Sequence, residues 1–416
     1  MILKKLFGRK VEQPKAHTDG EWIPASIMHS LSGGGKSKAG VVINEQTALF
    51  SSAVFACQRA ISESLASLPK GIFKKTADGG REAVEQHPSA NIFRREANNL
   101  QTTYKFFETL QHHVLSRGNG YAEIQRSRNT GKAVALWPIP PERVTPEVVD
   151  IDGNLTLIYQ IRRDDGTMLQ LDKDQILHIP GLGYDGIRGY PVLLFMLNAI
   201  GLGAALEEYG SLFFKQGAGV PGYVSMPDTF TEEQIKNMRR HMAIQNEGLD
   251  NAHRWKFLYE SAKFQPAGAT PDQSQMVESR IFQIQEIARF YRIPLHKIQE
   301  TSKSTSYNSL EQFNIEFVTD TLGPWIVNWE QELNRKLFIN PSDSDLYIRF
   351  NTNALLRGDS QGRSTFYRTM VMSGIMSRNE VRALEELPPV DGGDEMLTPS
   401  NMQSNRSLDA TERVQD

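Results

Sequence analysis

Residues 272–338, DQSQMVESRIFQIQEIARFYRIPLHKIQETSKSTSYNSLEQFNIEFVTDTLGPWIVNWEQELNRKLF, decide how this chain must be organised. Val277, Ile281, Ile284, Ala288 and Tyr291 recur at helical steps, one apolar stripe over about 30 Å at ~1.5 Å per residue. Pro294, inside Arg-Ile-Pro-Leu-His-Lys-Ile (292–298), ends that helix because it brings no N–H to the ladder. A small polar run follows: Thr301, Ser302, Lys303, Ser304, Thr305 and Ser306. Then Ile315, Val318, Leu322, Trp325, Trp329, Leu333 and Leu337 form a second stripe over about 45 Å. Gly323-Pro324 lies inside it and predicts a kink or a local unwinding. Two rods with a hydroxyl-rich break, and no metal, nucleotide or nucleophile motif, fit a mechanical or assembly part better than a reaction centre.

Working outward, residues 1–45 read as a flexible arm, with linker chemistry at SGGGKSKAG (32–40). A helix is predicted over 45–68, with Phe50, Val54, Cys57, Ile61, Leu65 and Leu68 on its buried face and Pro69 and Gly71 as its stop. Cys57 on that stripe reads as a core thiol. A hairpin is predicted from 71–75 and 81–84 about a turn at 78–80. Thr102 or Thr103 caps a helix to about Ser116, which Gly118-Asn119-Gly120 ends. Strands at 121–125, 133–137, 155–161 and 176–180 alternate with turns. Trp137-Pro138-Ile139-Pro140-Pro141 is barred from a central sheet position, since proline donates no ladder bond. Residues 46–190 therefore read as an α+β domain.

Residues 191–215 read as a helix with small residues on one part: Ala199, Gly201, Gly203, Ala204 and Ala205. A glycine there costs about 1 kcal/mol against alanine. Either another helix approaches closely, or this is a buried core helix built from some poor helix formers. Residues 216–271 read as a small module. It has a capping box at Thr231–Gln234, a loop at 246–251 and a strand at 255–259. A strand at 345–350 and helices at 359–373 and 379–386 close the ordered chain, and residues beyond 397 read as a disordered tail.

The bulk numbers exclude several classes. The 416 residues carry 46 Lys+Arg and 49 Asp+Glu, so the net charge is 46 − 49 = −3. That is no global excess for gripping phosphates. One cysteine allows no intrachain disulfide. Met1–Lys10 lacks the apolar core and cleavage site of a signal peptide, and reads as a solvated or partner-docking tail or a short membrane-surface anchor. The near-apolar run 192–206 stops at Glu207-Glu208, short of the roughly 20 residues a bilayer span needs.

Chemistry-bearing motifs are as sparse. Gly33–Ser37 (GGGKS) ends like a phosphate-binding loop, but the required earlier glycine is Ser30 and no strand precedes it. The nine histidines show no metal spacing, and His178 reads as a satisfied strand histidine. No G-x-S-x-G elbow is present, and Asp391–Glu395 does not follow the calcium-loop spacing. No catalytic residue, cofactor or metal is therefore assigned. The hydroxyls and Lys303 of 301–306 can touch phosphates weakly, or simply form a surface loop.

The order of several segments over 46–396 resembles the HK97-type portal family of tailed bacteriophages. The segments are AVFACQRAISESLASLP (53–69), His87-Pro88 with LQTTYKFF (100–107), RGNGY (117–121), LWPIPPERV (136–144) and Ile176–Pro180 with DGIRGYP (185–191). FKQGAGVPG (214–222), IARFYRIP (287–294), Leu322–Pro324, GIMSRNEVR (374–382) and Leu387–Asp394 complete the set. One departure is Tyr190, where the family often has serine.

The resemblance implies an α+β portal fold and a ring, typically a dodecamer, at one capsid vertex. The wing would be 46–190 plus 339–356, the two-helix stem 191–215 and 272–297, and the small α/β clip 216–271. The tunnel loop would be 298–307, the long kinked tunnel helix 308–338 and the helical crown 357–396. Thr301, Ser302, Lys303, Ser304, Thr305 and Ser306, with Arg292 and Lys297, would face double-stranded DNA in the channel. Gly201, Gly203, Ala204 and Ala205 would pack subunits together. Implied partners are the large terminase, a head–tail adaptor and the major capsid protein or scaffold, with no membrane. The implied location is the virion portal vertex, after assembly in the host cytoplasm. The alternative functions are a nucleic-acid- or nucleotide-processing enzyme resting on Gly33–Ser37, and a membrane-surface protein resting on Met1–Lys10.

Overall fold

The structure is a computed structural model that describes residues 9–10, 35–76, 80–215, 222–225, 231–237, 240, 263–266, 273–299, 307–352, 355, 360–385 and 387–397. The chain divides into two compact units: residues 1–305 with 319–350, and residues 306–318 with 351–416.

The first unit opens on strand β1 (Arg9–Lys10) and the hairpin β2 (Gly35–Lys36) and β3 (Val42–Ile43). Part of the arm read as flexible is thus hydrogen-bonded structure. Helix α1 (Glu45–Ala48) is one turn long, set by a reciprocal capping box between Asn44 and Thr47. The chain restarts at Ser51 into α2 (Ser52–Ser67). The predicted single helix is therefore two. Phe50, in the connecting turn, is 84% exposed instead of joining the buried stripe. Val54, Cys57, Ile61, Leu65 and Leu68 are buried as the periodicity requires, and burial pushes the Cys57 thiol up to about 12.

Next come β4 (Lys70–Lys75), β5 (Arg81–Ala83), α3 (Ala90–Arg94), β6 (Glu96–Asn98), β7 (Gln101–Thr102) and α4 (Thr103–Arg117). The Thr102 hydroxyl caps α4 by accepting from the Lys105 N–H at 3.3 Å, and Gly118 ends it with φ +80°. Strands β8 (Asn119–Arg126), β9 (Ala133–Ile139), β10 (Val144–Ile151), β11 (Asn154–Arg162), β12 (Met168–Asp172) and β13 (Ile176–Pro180) follow.

They pair antiparallel as two sheets, β13-β8-β9 and β1-β10-β11-β12. Pro138 sits in β9, an edge strand, as its missing donor demands. Tyr121, Val144, Tyr159, Ile161, Leu171 and Ile176 form one buried cluster drawn from both sheets.

Helix α5 spans Val192–Lys215, β14 (Gly222–Ser225) pairs with β15 (Lys263–Pro266), and α6 spans Gln273–Tyr291. The predicted capping box is half formed, with the Thr231 N–H donating to Gln234 Oε1 at 3.0 Å ahead of a helix at 232–237. The loop at 246–251 and the strand at 255–259 lie outside the described residues.

Helix α7 (Tyr307–Glu316) leads into a π-helical turn at Phe317–Leu322, and α8 (Gly323–Leu337) follows. The turn is the unwinding that Gly323-Pro324 predicted. Pro324 has no N–H, and its ring opposes the carbonyl of Asp320, so the backbone widens one turn ahead of it. Strand β16 (Leu346–Phe350) joins β4 and β5 in the order β16-β4-β5.

The centre of the first unit is aromatic. The Phe107 ring lies 4.8 Å from Trp329, 5.3 Å from Phe106, 5.8 Å from Phe350 and 6.3 Å from Phe93. Trp329 Nε1–H donates to Gln111 Oε1 at 2.8 Å, so the indole is both packed and satisfied.

In the second unit, α9 (Ser360–Met372) and α10 (Arg378–Leu384) are tied through Glu385, which accepts from Arg363 at 3.2 Å and from the Tyr367 hydroxyl at 2.8 Å. The Asn379 side chain spans to the Val390 backbone with bonds of 2.9 and 3.0 Å.

Candidate channel and assembly surfaces

Three parts of the first unit bear on the channel reading: the loop that launches α5, the α5–α6 pair, and the break after α6. The loop, residues 181–190, is held by backbone crossing backbone. Gly181 N–H donates to Gly118 O at 2.7 Å, and Tyr190 N–H to Leu182 O at 2.7 Å. Asn119 grips Gly189 at both ends: its Oδ1 accepts the Gly189 N–H at 2.8 Å and its Nδ2 donates to Gly189 O at 2.9 Å. Asp185 Oδ1 accepts from the N–H groups of Ile187 and Arg188 at 2.9 and 2.7 Å.

Only glycine fits this crossing. A Cβ at Gly189 would lie 1.9 Å from Gly118 O, and one at Gly118 would lie 2.0 Å from Tyr190 O.

His178 completes the base of the loop. Its Nε2 lies 3.1 Å from Asn119 Oδ1, and its Nδ1 lies 3.2 Å from the Tyr159 hydroxyl. An Nε2–H donating to Asn119 leaves Nδ1 to accept from Tyr159, so the neutral ring is fully satisfied. Burial holds its pKa down at about 3. His178 is thus the satisfied strand histidine read from sequence.

On α5, Leu193, Met196, Ala199 and Ile200 are buried, while Phe195, Leu202, Tyr209 and Leu212 are exposed. The span Val192–Leu212 is long and apolar enough to cross a membrane. The same segment pairs with α6, where Arg280 bridges to Glu207 at 3.2 Å. Of the small residues, Gly201 is closed off by its own chain, since a Cβ there would lie 2.3 Å from Ser37 Cβ and Oγ. The Lys38 N–H adds a bond to Asn198 Oδ1 at 3.0 Å. Nothing lies within 4 Å of a Cβ at Gly203, and Ala204 and Ala205 are half-buried.

The break after α6 is fixed, not loose, as far as it is described. Tyr291 is buried and its hydroxyl accepts from Gln58 Nε2 at 2.8 Å. Arg292 turns left-handed at φ +50°, its carbonyl accepting from Thr321 Oγ1 at 2.5 Å. A single 3₁₀ turn, Leu295–Ile298, ends at Gln299 with φ +61°. Arg292 is exposed, whereas Lys297 is half-buried and burial lowers its pKa. Thr301, Ser302, Lys303, Ser304, Thr305 and Ser306 lie outside the described residues.

Gly35 and Lys36 form a strand paired with Val42 and Ile43, a geometry unlike the loop before a helix that cradles phosphate. Among the described residues no group of His, Cys, Asp or Glu could hold a metal ion. Sequence reasoning missed the Gly118–Gly189 crossing. Its signal was the glycine clustering in RGNGY and DGIRGYP, which served only as marks of resemblance.

A family model described as phage portal protein matches residues 52–386. The portal protein of Enterobacteria phage HK97 is 30% identical over 354 residues, covering 85% of this chain and 82% of that protein. The probable portal protein of Streptomyces phage phiC31 is 31% identical over 382 residues, covering 89% and 82%.

Among solved structures, a chain of the virion of a native gene transfer agent particle aligns with TM-score 0.59 at 19% identity, over 93% of this chain and 99% of that one. A chain from the neck of the native particle, computed with C12 symmetry, aligns with TM-score 0.57 at 19% identity, over 93% and 98%. An HK97 family phage portal protein from Corynebacterium diphtheriae aligns with TM-score 0.53 at 14% identity, over 78% and 97%. The mixed helix-and-sheet architecture is thus that of portal proteins, and with the family model spanning most of its length the chain belongs to the phage portal protein family.

Proposed function

We propose that this chain assembles with copies of itself into a ring, typically of twelve, at one vertex of a phage capsid. Double-stranded DNA passes through the ring during packaging and ejection. The observation that carries the reading is the exposed stripe on α5. Phe195, Leu202 and Tyr209 are spaced by seven, with Ala205 and Leu212 three residues after the second and third. A 3.5-residue repeat is the seam of a helix that packs along another helix. The opposite face of α5 is already buried, while Phe195, Leu202, Tyr209 and Leu212 are exposed. Ring symmetry in the neck of the similar gene transfer agent particle supports the same reading. Gly203, Ala204 and Ala205 let neighbouring backbones come close, whereas Gly201 serves its own chain's hairpin.

In this reading the ring is a conduit without catalysis, and a partner ATPase, the large terminase, moves the DNA. The module at 216–271 docks the terminase and later a head–tail adaptor, and the ring meets the major capsid protein or scaffold. Thr301–Ser306, with Arg292 and Lys297, face the DNA. Net charge near zero suits a channel that DNA must slide through, because each phosphate neutralised adds binding.

Negative-stain images of the purified protein should show closed rings. Monomer alone at every concentration would defeat the reading. Deleting 301–306 should leave rings intact and cut packaged or retained DNA by roughly tenfold or more, since in this reading the loop serves the nucleic acid and not the ring contact. Unchanged packaging would remove the loop from the mechanism.

A further inference from the structure

Left-handed backbone outside glycine gathers at one place in this chain. Among the described residues it occurs at Asp152, Arg292 and Gln299. Asp152 stands with Gly153 in the β10–β11 hairpin turn, where that conformation is ordinary. The other two bracket the turn after α6. Arg292 occupies the position at a helix end that glycine usually takes, because a Cβ is disfavoured there. The end is closed by the Arg292 N–H donating to Arg289 O at 3.1 Å and the Ile293 N–H to Ala288 O at 3.0 Å.

Arg292 is held from both sides. Before it, Tyr291 is buried, and its hydroxyl accepts from Gln58 Nε2 of α2 at 2.8 Å. Gln58 is itself buried, with its Oε1 3.5 Å from Ser116 Oγ of α4. After it, Ile293 is buried. Thr321, 1% exposed in the π-helical turn, donates its hydroxyl to the Arg292 carbonyl at 2.5 Å. A helical threonine commonly gives that proton to a carbonyl one turn back in its own helix. This one gives it to a residue 29 positions away. Between two buried neighbours, and with its carbonyl tied to a buried hydroxyl, Arg292 keeps its side chain exposed. Strain of this kind persists only where the surroundings over-determine it, and it clusters at working sites.

We propose that Thr321 is a positioning residue for the DNA contact: its hydroxyl, with the Gln58–Tyr291 bond, locks Arg292 in the conformation that presents the guanidinium to the channel. The inference rests on the reading that Arg292 faces DNA, and it names what aims that side chain. Without the Thr321 bond the Arg292 carbonyl is released, and the residue relaxes toward the right-handed or extended backbone that an arginine prefers. That rotation swings the side chain away while α6 and α8 keep their own packing.

The test assembles heads with the full chain and measures double-stranded DNA protected from nuclease per head. If the unsubstituted protein forms no rings, the ring reading fails by itself and the inference with it. Arg292→Gln should cut protected DNA roughly threefold or more, through the lost phosphate contacts. Thr321→Val, which keeps the shape and removes the hydroxyl, should cut it as far with rings still closed. The double variant should be no worse than either single one, because both residues act through one contact. Thr321→Ser, which keeps the hydroxyl, should restore the DNA content. Additive losses, a Thr321→Ser as impaired as Thr321→Val, or normal content in Thr321→Val beside an impaired Arg292→Gln would overturn the latch and leave Arg292 its DNA contact. Normal content in Arg292→Gln would overturn the reading beneath it as well. Should Thr321→Val form no rings, Tyr291→Phe removes the hydroxyl of the other anchor and keeps its ring. It must then show the same loss, not adding to that of Arg292→Gln, and normal content there would overturn the latch.

Discussion

Trp329→Ala should cost the protein most of its folding stability. The side chain is fully buried, its ring lies 4.8 Å from Phe107, and its N–H occupies Gln111 Oε1. Truncating a buried tryptophan typically costs about 3–5 kcal/mol through lost transfer energy and the cavity left behind. Leaving the buried Gln111 carbonyl without its donor adds about 1–3 kcal/mol. Against a total stability of about 5–15 kcal/mol, that removes a large share of the margin that keeps the chain folded. Trp329→Phe should do far less, since it keeps most of the volume and loses the hydrogen bond. Urea unfolding checks both, and a midpoint for Trp329→Ala close to that of the unsubstituted protein would refute the assignment of Trp329 to the centre of the core.

Gly189→Ala should be nearly as damaging although it adds a single methyl group. The new Cβ would lie 1.9 Å from Gly118 O and 2.6 Å from Gly181 N, both backbone atoms that cannot rotate aside. The two chain segments must separate, and the Asn119 bonds to Gly189 and the partner of His178 go with them. Overpacking alone costs about 1–3 kcal/mol, and each orphaned buried polar group adds about 1–3 kcal/mol. Since the loop launches α5, ring assembly should fall together with stability. Gly186→Ala is the comparison: its φ is +69° but nothing lies within 4 Å, so only the left-handed strain of about 1–2 kcal/mol applies. Equal effects of the two substitutions on the thermal midpoint would show that the backbone crossing is not what requires glycine at 189.

Much of the fold was legible because the signals were local. The stripes at 277–291 and 315–337 set two helices, and Pro294 and Gly323-Pro324 marked the break and the π-helical turn that the structure has. Proline at 138 fixed β9 as an edge, and Gly118 fixed the end of α4. The continuous helix over 45–68 failed for an equally local reason that the hydrophobic period hid. Asn44 and Thr47 close a one-turn helix on themselves, and the chain restarts at Ser51, leaving Phe50 outside. The candidate site was only partly legible. Sequence marked Arg292 and Lys297 alike as cations beside a polar loop. The structure exposes one and half-buries the other, which depends on what packs over 293–298.

By itself, the sequence determined where helices and strands run, where they stop, and which family orders its segments this way. Those properties follow from periodicity, caps and missing donors, all written within a few neighbouring residues. Only the tertiary structure decided which surfaces those elements share. Gly201 of α5 faces Ser37 of its own chain. Asn119 closes on Gly189, which stands 70 residues away along the chain. Phe195, Leu202 and Tyr209 are left facing outward. Contacts of that kind are set by which backbones approach closely enough to exclude a side chain, and no local pattern of residues encodes that distance.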